Sequence, residues 1–395
     1  MLGDDWEGCR SRRGGNMKVM FVLAGLGVGG AERVISLISR DWVSRGVEVT
    51  IVSFDSPDEP IGFAFDSRIE LVRLAIHSSG GPFRHGVAAT MYRCASLRKI
   101  MRAQRPDIVL SFLTKINVIT LLASYWTGIP VIISERNNPK AQQAHPLWYL
   151  SWKTLARRAQ VIVLQTNSIR RLYPAVLSKR ATVIPNVVEL PEFEHQDHEG
   201  HVLVSAGRLV PQKGYDLLIR AFAKIAAANP DWRLVIWGEG KERERLEAQI
   251  RDCGLEARIS LPGNSPRPLS WVECADLFVL SSRHEGFGNV LVEAMLAELP
   301  VVSFNCDFGP GDIISEGVDG LLVRAGDADA LARTLALAMA DPALRKRLAS
   351  HAIKNAQRFR REHIVRQWEA LITRILSPQA GAFPDPIQHP PLTGT

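Results

Sequence analysis

One pattern, present in both halves of the chain, restricts the fold more than anything else: a short apolar run, a loop rich in glycine, then apolar residues at helical spacing. Lys18–Ala24 (KVMFVLA) leads into Gly25, Gly27, Gly29 and Gly30, then AERVISLISRDWVSRG, with Gly46 as the stop. Val202–Ala206 leads into Gly207-Arg208-Leu209-Val210-Pro211-Gln212-Lys213-Gly214, then a helix over Tyr215–Ala228. Continuous apolar strands of this kind are buried on both faces, as in parallel sheets, and parallel neighbours need a crossover between them. Further short runs fit the same scheme: Val47–Phe54, Ile69–Leu74, Pro106–Phe112, Val131–Ser134, Val161–Leu164 and Ala181–Pro185, then Arg233–Trp237, Ile259–Leu261, Leu277–Leu280, Val301–Phe304 and Gly320–Val323. The reading is α/β, with two Rossmann-like, doubly wound parallel sheets.

A length of 395 residues accommodates two such domains. We expect a disordered extension over 1–16, an N-terminal domain over 17–190, a linker over 191–200 and a second domain over 201–360. A C-terminal helix over 361–376 is placed to pack back on the first domain, and a proline-rich disordered tail follows over 377–395. Residues 1–16 carry charges and no apolar core, so no signal peptide is read there. The longest apolar stretch, Ile116–Ile133, is interrupted by Asn117, Gly128 and Pro130, and reads as a helix followed by a strand rather than a membrane span. The five cysteines form no C-x-x-C pair, which favours reduced thiols in a cytoplasmic protein.

Charge is unevenly placed. Residues 1–190 hold 25 Lys and Arg against 14 Asp and Glu, whereas residues 191–395 hold 23 against 27. A basic half attracts an anionic membrane surface or a phosphorylated substrate. The segment from Arg84 to Arg105 has six bases and no acid. In it Val87, Met91, Cys94, Leu97, Ile100 and Met101 can form one apolar stripe, with Arg84, Arg93, Arg98, Lys99 and Arg102 around it. An ordinary packed surface helix is the plainer account of the same residues.

Candidate site residues gather where strands end. Ser281–Glu298 (SSRHEGFGNVLVEAMLAE) follows an apolar run and carries Glu285 and Glu293, with Gly286, Phe287, Gly288, Asn289 and Val290 between them. A glycine loop entering a helix aims unpaired N–H groups at one point, which suits an anion. If all eight steps were helical, the two carboxylates would stand ~12 Å apart, more than the ~5–9.5 Å of a hydrolase acid–base pair. Two separate jobs along one extended ligand fit better. Arg208 and Lys213 flank the strand-to-helix turn of the second half, where two cations and a helix end would hold a diphosphate. Gly238 closes the next strand.

Gly25–Gly30 also matches G-x-G-x-x-G, with Asp55 after the second strand, so an NAD-dependent oxidoreductase is the alternative. Two metal patterns have simpler accounts. His195, His198 and His201 lie in the linker without accompanying ligands. Asp327-Ala328-Asp329 precedes a helical run and reads as an N-cap.

Taken in order, Gly29-Gly30-Ala31-Glu32-Arg33, Pro185-Asn186-Val187-Val188, Gly207-Arg208 with Lys213-Gly214, Glu285 with Glu293 as E-x7-E, and Asp312–Val323 resemble the retaining glycosyltransferases of family 4, over about Met17 to Leu376. The resemblance implies the GT-B fold, two Rossmann-like domains facing a cleft, with the first binding acceptor and the second the nucleotide sugar. It implies that Arg208 and Lys213 neutralise the donor diphosphate and that Glu293 binds the ribose hydroxyls. Glu285 would hold the donor sugar. Gly29, Gly30, Gly238 and the backbone of Gly286, Phe287, Gly288, Asn289 and Val290 would contact donor.

Ser134-Glu135-Arg136-Asn137-Asn138-Pro139 departs from the histidine that many members have nearby. It is similar to the variant in bacterial enzymes that add N-acetylgalactosamine or related hexoses to polyprenyl-diphosphate-linked saccharides. Glu32, Arg136 and Asn137 are therefore expected at acceptor or sugar. The implied enzyme uses a nucleotide sugar, expected to be a UDP-sugar, with no metal and no other cofactor. It acts peripherally at the inner face of the cytoplasmic membrane, and nucleic acid is not expected as a partner.

Overall fold

A computed structural model describes residues 6, 16–76, 87–136, 152–194, 196, 199–267 and 269–377. The chain divides into two compact units, one made of Met1–Val187 with Arg361–Thr395 and the other of Val188–Arg360.

The first unit runs β1 (Lys18–Leu23), α1 (Gly30–Ser44), β2 (Glu48–Ser53), β3 (Glu70–Arg73), α2 (Val87–Gln104), β4 (Ile108–Phe112), α3 (Thr114–Ala123), β5 (Val131–Glu135), β6 (Val161–Leu164), α4 (Asn167–Arg170), α5 (Ala175–Ser178) and β7 (Ala181–Val183). The second runs β8 (His201–Ala206), α6 (Tyr215–Ile225), β9 (Trp232–Trp237), α7 (Arg243–Asp252), β10 (Ile259–Gly263), β11 (Leu277–Leu280), α8 (Asn289–Leu296), β12 (Val301–Asn305), α9 (Pro310–Ile313), β13 (Leu321–Arg324), α10 (Ala328–Ala340) and α11 (Pro342–Ala356). The closing helix α12 (Arg361–Leu376) belongs to the first unit.

All sheet pairs of the named strands are parallel. The strand orders are β3-β2-β1-β4-β5-β6-β7 and β10-β9-β8-β11-β12-β13. In both sheets the order reverses beside the first strand, between β1 and β4 and between β8 and β11. Ligands of doubly wound sheets bind outside the carboxyl ends at such a reversal.

The apolar runs form these strands because both faces are covered. In the first unit Phe21 lies between Trp42 of α1 and Phe112 of β4, with ring centroids 5.6 Å and 6.2 Å away. Trp368 of α12 packs on Phe112 at 6.2 Å, and Ile364, Val365, Leu371 and Ile372 join the same core. Trp6 corrects the reading of 1–16 at one position: it is buried with its ring stacked on Trp42 at 6.0 Å, as expected where a large aromatic can leave water. Most of that extension, and residues 378–395, lie outside the described residues. The stretch read as a linker lies with the second unit, where Leu190 and Phe193 pack on its core and Gln196 bonds to Glu273.

Candidate active site

At the β8/β11 reversal, two loops separated by about seventy residues are bound into one surface. Ser281 Oγ donates to the Lys213 carbonyl at 2.9 Å, Arg283 N–H to the Gln212 carbonyl at 2.8 Å, and Gln212 Nε2 to the His284 carbonyl at 2.9 Å. Arg283 forks onto Asp216 of α6 at 2.8 and 2.7 Å. Gly214 starts α6 with φ +65°, in the left-handed region, and a Cβ there would stand 2.1 Å from the Ser281 carbonyl oxygen. Only glycine fits that backbone approach.

This seating brings Lys213 and Glu285 together. Lys213 Nζ donates to Glu285 Oε1 at 2.7 Å, and Ser282 Oγ donates to the same oxygen at 2.6 Å. Both charged side chains are largely buried, and Glu285 N–H is bonded to the Asp307 carbonyl at 3.3 Å. Behind them burial, reinforced by the Glu285 charge, pushes the Cys306 thiol up to about 12. Arg208 is exposed on the first of these loops, and its guanidinium has no side-chain partner among the described residues. The site therefore offers a buried ion pair with an exposed cation on one of the loops that form it.

The other donor candidates sit around this pair with distinct duties. Gly288, at φ +100°, leads into α8, whose first N–H groups start at Asn289. Phe287 turns its side chain into the core, against Phe359 at 5.4 Å, so only its backbone remains for a ligand. Glu293 is buried on α8, 5 % exposed. Gly238 has φ +135°, and a Cβ there would meet the Gly207 carbonyl oxygen at 2.0 Å, so close approach of β8 and β9 already requires a glycine. Sequence reasoning missed Ser282, Gln212 and Arg283, which hold the pair and its loops. Only the adjacency of β8 and β11, invisible from spacing, could have found them.

In the first unit, Gly29 is the N-cap of α1 and Glu32 the third helical residue. Glu32 folds back so that its Oε2 lies 2.1 Å from where a Gly29 Cβ would be, the reach of a capping-box carboxylate. Burial raises its pKa. Asp55, the residue on which a dinucleotide reading depends, is already occupied. Its Oδ2 accepts Leu26 N–H at 2.9 Å and Arg73 Nη2 at 2.7 Å, and Ser53 Oγ donates to the other oxygen. Burial pulls Asp55 upward, yet Arg73, Ser53 and Leu26 together hold it below the usual carboxylate range.

At the carboxyl ends of β5 to β7, Arg136 is buried against the packed pair of Phe112 and Trp368 rings, 5.3 and 5.8 Å from their centroids. It donates to Ser134 Oγ at 2.8 Å and to Asn186 Oδ1 at 2.6 Å, and Gln165 shares that oxygen at 2.8 Å. The two motif segments Ser134–Arg136 and Pro185–Val188 are thus one hydrogen-bonded cluster. Asn137 lies outside the described residues.

The neighbouring Glu135 is fully enclosed, accepting from Thr114 Oγ1 at 2.6 Å and Asn117 Nδ2 at 2.7 Å. Burial, opposed by these two bonds, pushes it up to about 7 from 4.5. An acid with a raised folded pKa contributes stability that is complete below its unfolded value and lost as pH rises through its folded value. The contribution here should fade between about 4.5 and 7 and amount to roughly 3 kcal/mol at most. Glu135→Gln should melt with wild type at pH ~5 and above it at pH ~8. An equal difference at both pH values in calorimetry would contradict this.

The basic helix α2 differs from its expected pattern. Cys94, Leu97 and Met101 are buried, but Met91 is exposed. Arg93 is buried and donates to the Ile76 carbonyl, while Arg98 closes the end of α3 through the Ala123 and Leu122 carbonyls at 2.9 and 2.7 Å. These two guanidiniums satisfy backbone oxygens, so they are not free surface charge. Arg84, His195 and His198 lie outside the described residues. His201 opens β8 beside Asp276 and Trp232, and Asp327 Oδ1 caps α10 through Ala330 N–H at 2.8 Å.

Known proteins bear on this arrangement. The model described as Glycosyltransferase Family 4 matches residues 28–192, and that described as Glycosyl transferases group 1 matches residues 189–355. A Campylobacter jejuni protein, GalNAc-alpha-(1->4)-GalNAc-alpha-(1->3)-diNAcBac-PP-undecaprenol alpha-1,4-N-acetyl-D-galactosaminyltransferase, is 25% identical over 363 residues, 91% of this chain and 99% of its own. Exopolysaccharide phosphotransferase SCO2592 of Streptomyces coelicolor is 37% identical over 199 residues, 50% of this chain but only 21% of that protein. The structure of Anabaena HepE in complex with UDP shares the fold, with a TM-score of 0.72 and 20% identity over 90% of this chain and 100% of that one. Since the two models together span residues 28–355, each on one of the two parallel-sheet units, the chain belongs to the family 4, group 1 glycosyltransferases, hexosyl-transferring enzymes of GT-B fold.

Proposed function

We propose that the protein moves a hexose or N-acetylhexosamine from a UDP-sugar to a lipid-linked oligosaccharide, with retention of anomeric configuration, in bacterial glycan, lipopolysaccharide or exopolysaccharide synthesis. The observation that carries this reading is the Lys213–Glu285 pair at the β8/β11 reversal, on the same pair of loops as Arg208. Transfer from a nucleotide sugar expels a nucleoside diphosphate, so the chief demand is stabilising charge on the departing oxygen. Lys213, Arg208 and the amino end of α8 meet that demand with this chain's own groups, and the reading needs no metal. Glu285, fixed by Lys213 and Ser282, is then the group that holds the donor sugar, and Glu293 binds the ribose. Arg136 takes the acceptor side through the cluster with Asn186 and Gln165.

The lipid-linked acceptor is supported by the Campylobacter relative, whose name states an undecaprenol-diphosphate acceptor, and the reading sets the protein at the inner face of the cytoplasmic membrane. UDP as the leaving group is supported by the fold shared with HepE, solved with that nucleotide. Among the described residues no helix is long and apolar enough to cross a membrane. The oxidoreductase alternative is disfavoured because three donors of this chain already occupy Asp55.

A thermal-shift series tests the reading. Ligand at about 100 times its Kd stabilises by roughly 2.7 kcal/mol, which for units of this size moves the midpoint by about 5–10 °C. UDP should produce such a shift, equally in EDTA, and NAD should produce none. A shift with NAD alone would contradict the assignment. Radiolabelled nucleotide sugars on a lipid extract then identify the donor, and the anomeric configuration of the product tests retention.

A further inference from the structure

The cluster at the carboxyl ends of β5 to β7 buries a cation that no carboxylate neutralises among the described residues. Arg136 is 7% exposed, and its Nε and Nη1 donate to neutral oxygens, those of Ser134 and Asn186. Glu135 is the only acid between Ile108 and Val188, and both its oxygens are taken by Thr114 and Asn117. Glu369, next to Trp368 on α12, accepts from Arg45 Nη1 at 2.8 Å. Burial alone pushes the Arg136 pKa down to about 9 from 12.5. A charge taken out of water is ordinarily paired, because desolvation without a counter-charge is costly.

Two polar atoms of the cluster are left over. Arg136 has only donors, so its Nη1 fixes the Asn186 amide with the oxygen towards the guanidinium. Gln165 then turns Nε2 to that same oxygen at 2.8 Å, and its own Oε1 is left facing elsewhere. Arg136 Nη2 and Gln165 Oε1 are both buried without a hydrogen-bond partner. One is a charged donor and the other an acceptor, on two side chains that share the Asn186 oxygen. They stand where ligands of a doubly wound sheet bind, beside the rings of Phe112 and Trp368. The complementary ligand carries an anionic oxygen next to a hydroxyl. A hexuronic acid does so: its carboxylate accepts from Arg136 Nη2, and the neighbouring ring hydroxyl donates to Gln165 Oε1. A phosphate or diphosphate suits the cluster less well, since its several oxygens would meet one free N–H group and be repelled by the Gln165 oxygen.

We propose that Arg136 and Gln165 form a subsite for a hexuronic acid residue of the acceptor saccharide, with Arg136 Nη2 on the carboxylate and Gln165 Oε1 on a ring hydroxyl. Rotation about the side-chain bonds of these two flexible residues turns the enclosed atoms to the sugar. The inference rests on the proposed transfer to a saccharide acceptor and names the class of sugar which that acceptor contains.

The test is calorimetric titration of the full chain with the methyl glycosides of glucuronic and galacturonic acid, the matching neutral glucoside and galactoside, and inorganic phosphate and diphosphate. At least one uronoside should bind roughly tenfold more tightly than its neutral counterpart, the worth of a hydrogen bond to a charged group. Arg136→Met should remove that preference while melting at or above wild type, since an apolar side chain of similar length replaces an unpaired buried cation. Gln165→Glu supplies the missing counter-charge from the chain itself. It should raise the melting temperature and also weaken the uronoside roughly tenfold, and it reports even where the first variant does not fold. The UDP-induced thermal shift should persist in both variants. Uronosides that bind no better than the neutral glycosides, or a preference that survives in Arg136→Met, would overturn the proposal. So would phosphate or diphosphate binding more tightly than both uronosides with the same dependence on Arg136, which would give the cluster to the diphosphate of the lipid carrier. Absence of the UDP shift in wild type would instead count against the proposed transfer reaction, and the uronoside result would still stand by itself.

Discussion

Glu285→Gln should cut the transfer rate by roughly 10³-fold or more, about 4 kcal/mol of transition-state stabilisation, while the Kd for UDP changes no more than about threefold. The amide keeps the side chain's shape and can still accept from Ser282 Oγ and Lys213 Nζ, which now reach Glu285 Oε1 at 2.6 and 2.7 Å. What it loses is the negative charge. In the proposed reaction it faces a sugar that develops positive character as the diphosphate leaves, so that charge should be worth most in the transition state and little in the ground state. The rate should therefore fall far more than the affinity. Single-turnover assays with a labelled donor, paired with calorimetric titration of UDP, separate the two quantities. Full turnover in the variant would remove Glu285 from its assigned place, and an equal loss in both quantities would make it a nucleotide ligand only.

The second large effect concerns the frame rather than the chemistry. Gly214→Ala places a methyl group where the Ser281 carbonyl oxygen stands 2.1 Å away, on a residue whose φ is +65°. The left-handed backbone alone costs about 1–2 kcal/mol, and the collision is with main chain that cannot swing aside. Relief would separate the two loops and break the Ser281–Lys213 and Arg283–Gln212 bonds. We expect a loss of roughly 4 kcal/mol, at the upper end of what single substitutions do. Gly317→Ala provides the control: its φ of +71° is similar, but nothing lies within 4 Å of the added carbon. It should cost only about 1 kcal/mol. Urea unfolding followed by circular dichroism should order the chains as wild type, Gly317→Ala, Gly214→Ala. If the two variants lose the same amount, loop contact is not what fixes this glycine.

The strands were legible in the sequence because each is short and apolar, and several are flanked by glycine or proline. Val161–Leu164 and Leu277–Leu280 have the bounds read from the residues, and others differ by one or two positions at their ends. The glycine loops were legible for the same reason, since a turn into a helix leaves a local mark. Partnerships across the sheet were not. Lys213 and Glu285 were assigned separate duties because nothing in a linear reading shows that β8 and β11 are neighbours. The joining of Arg136 to Asn186 was hidden by the fifty residues between them. Helix α2 misled in another way: its arginines were read as surface charge, but Arg93 and Arg98 spend their donors on carbonyls of other segments. Glycines carried double meanings. Gly238 and Gly29, read as places where a ligand comes close, are also where this chain's own atoms do so.

The loop pairing has a consequence for how the enzyme comes into being. Its two halves lie 72 positions apart, and the intervening chain forms β9, β10, β11 and two helices before they can meet. Closing so long an interval costs entropy that is recovered only when the central strand pair zips up, so contacts of this kind form late and slowly. Nucleotide affinity should accordingly emerge only with the last step of refolding, which makes it a stringent kinetic reporter that Val188–Arg360 has reached its native topology.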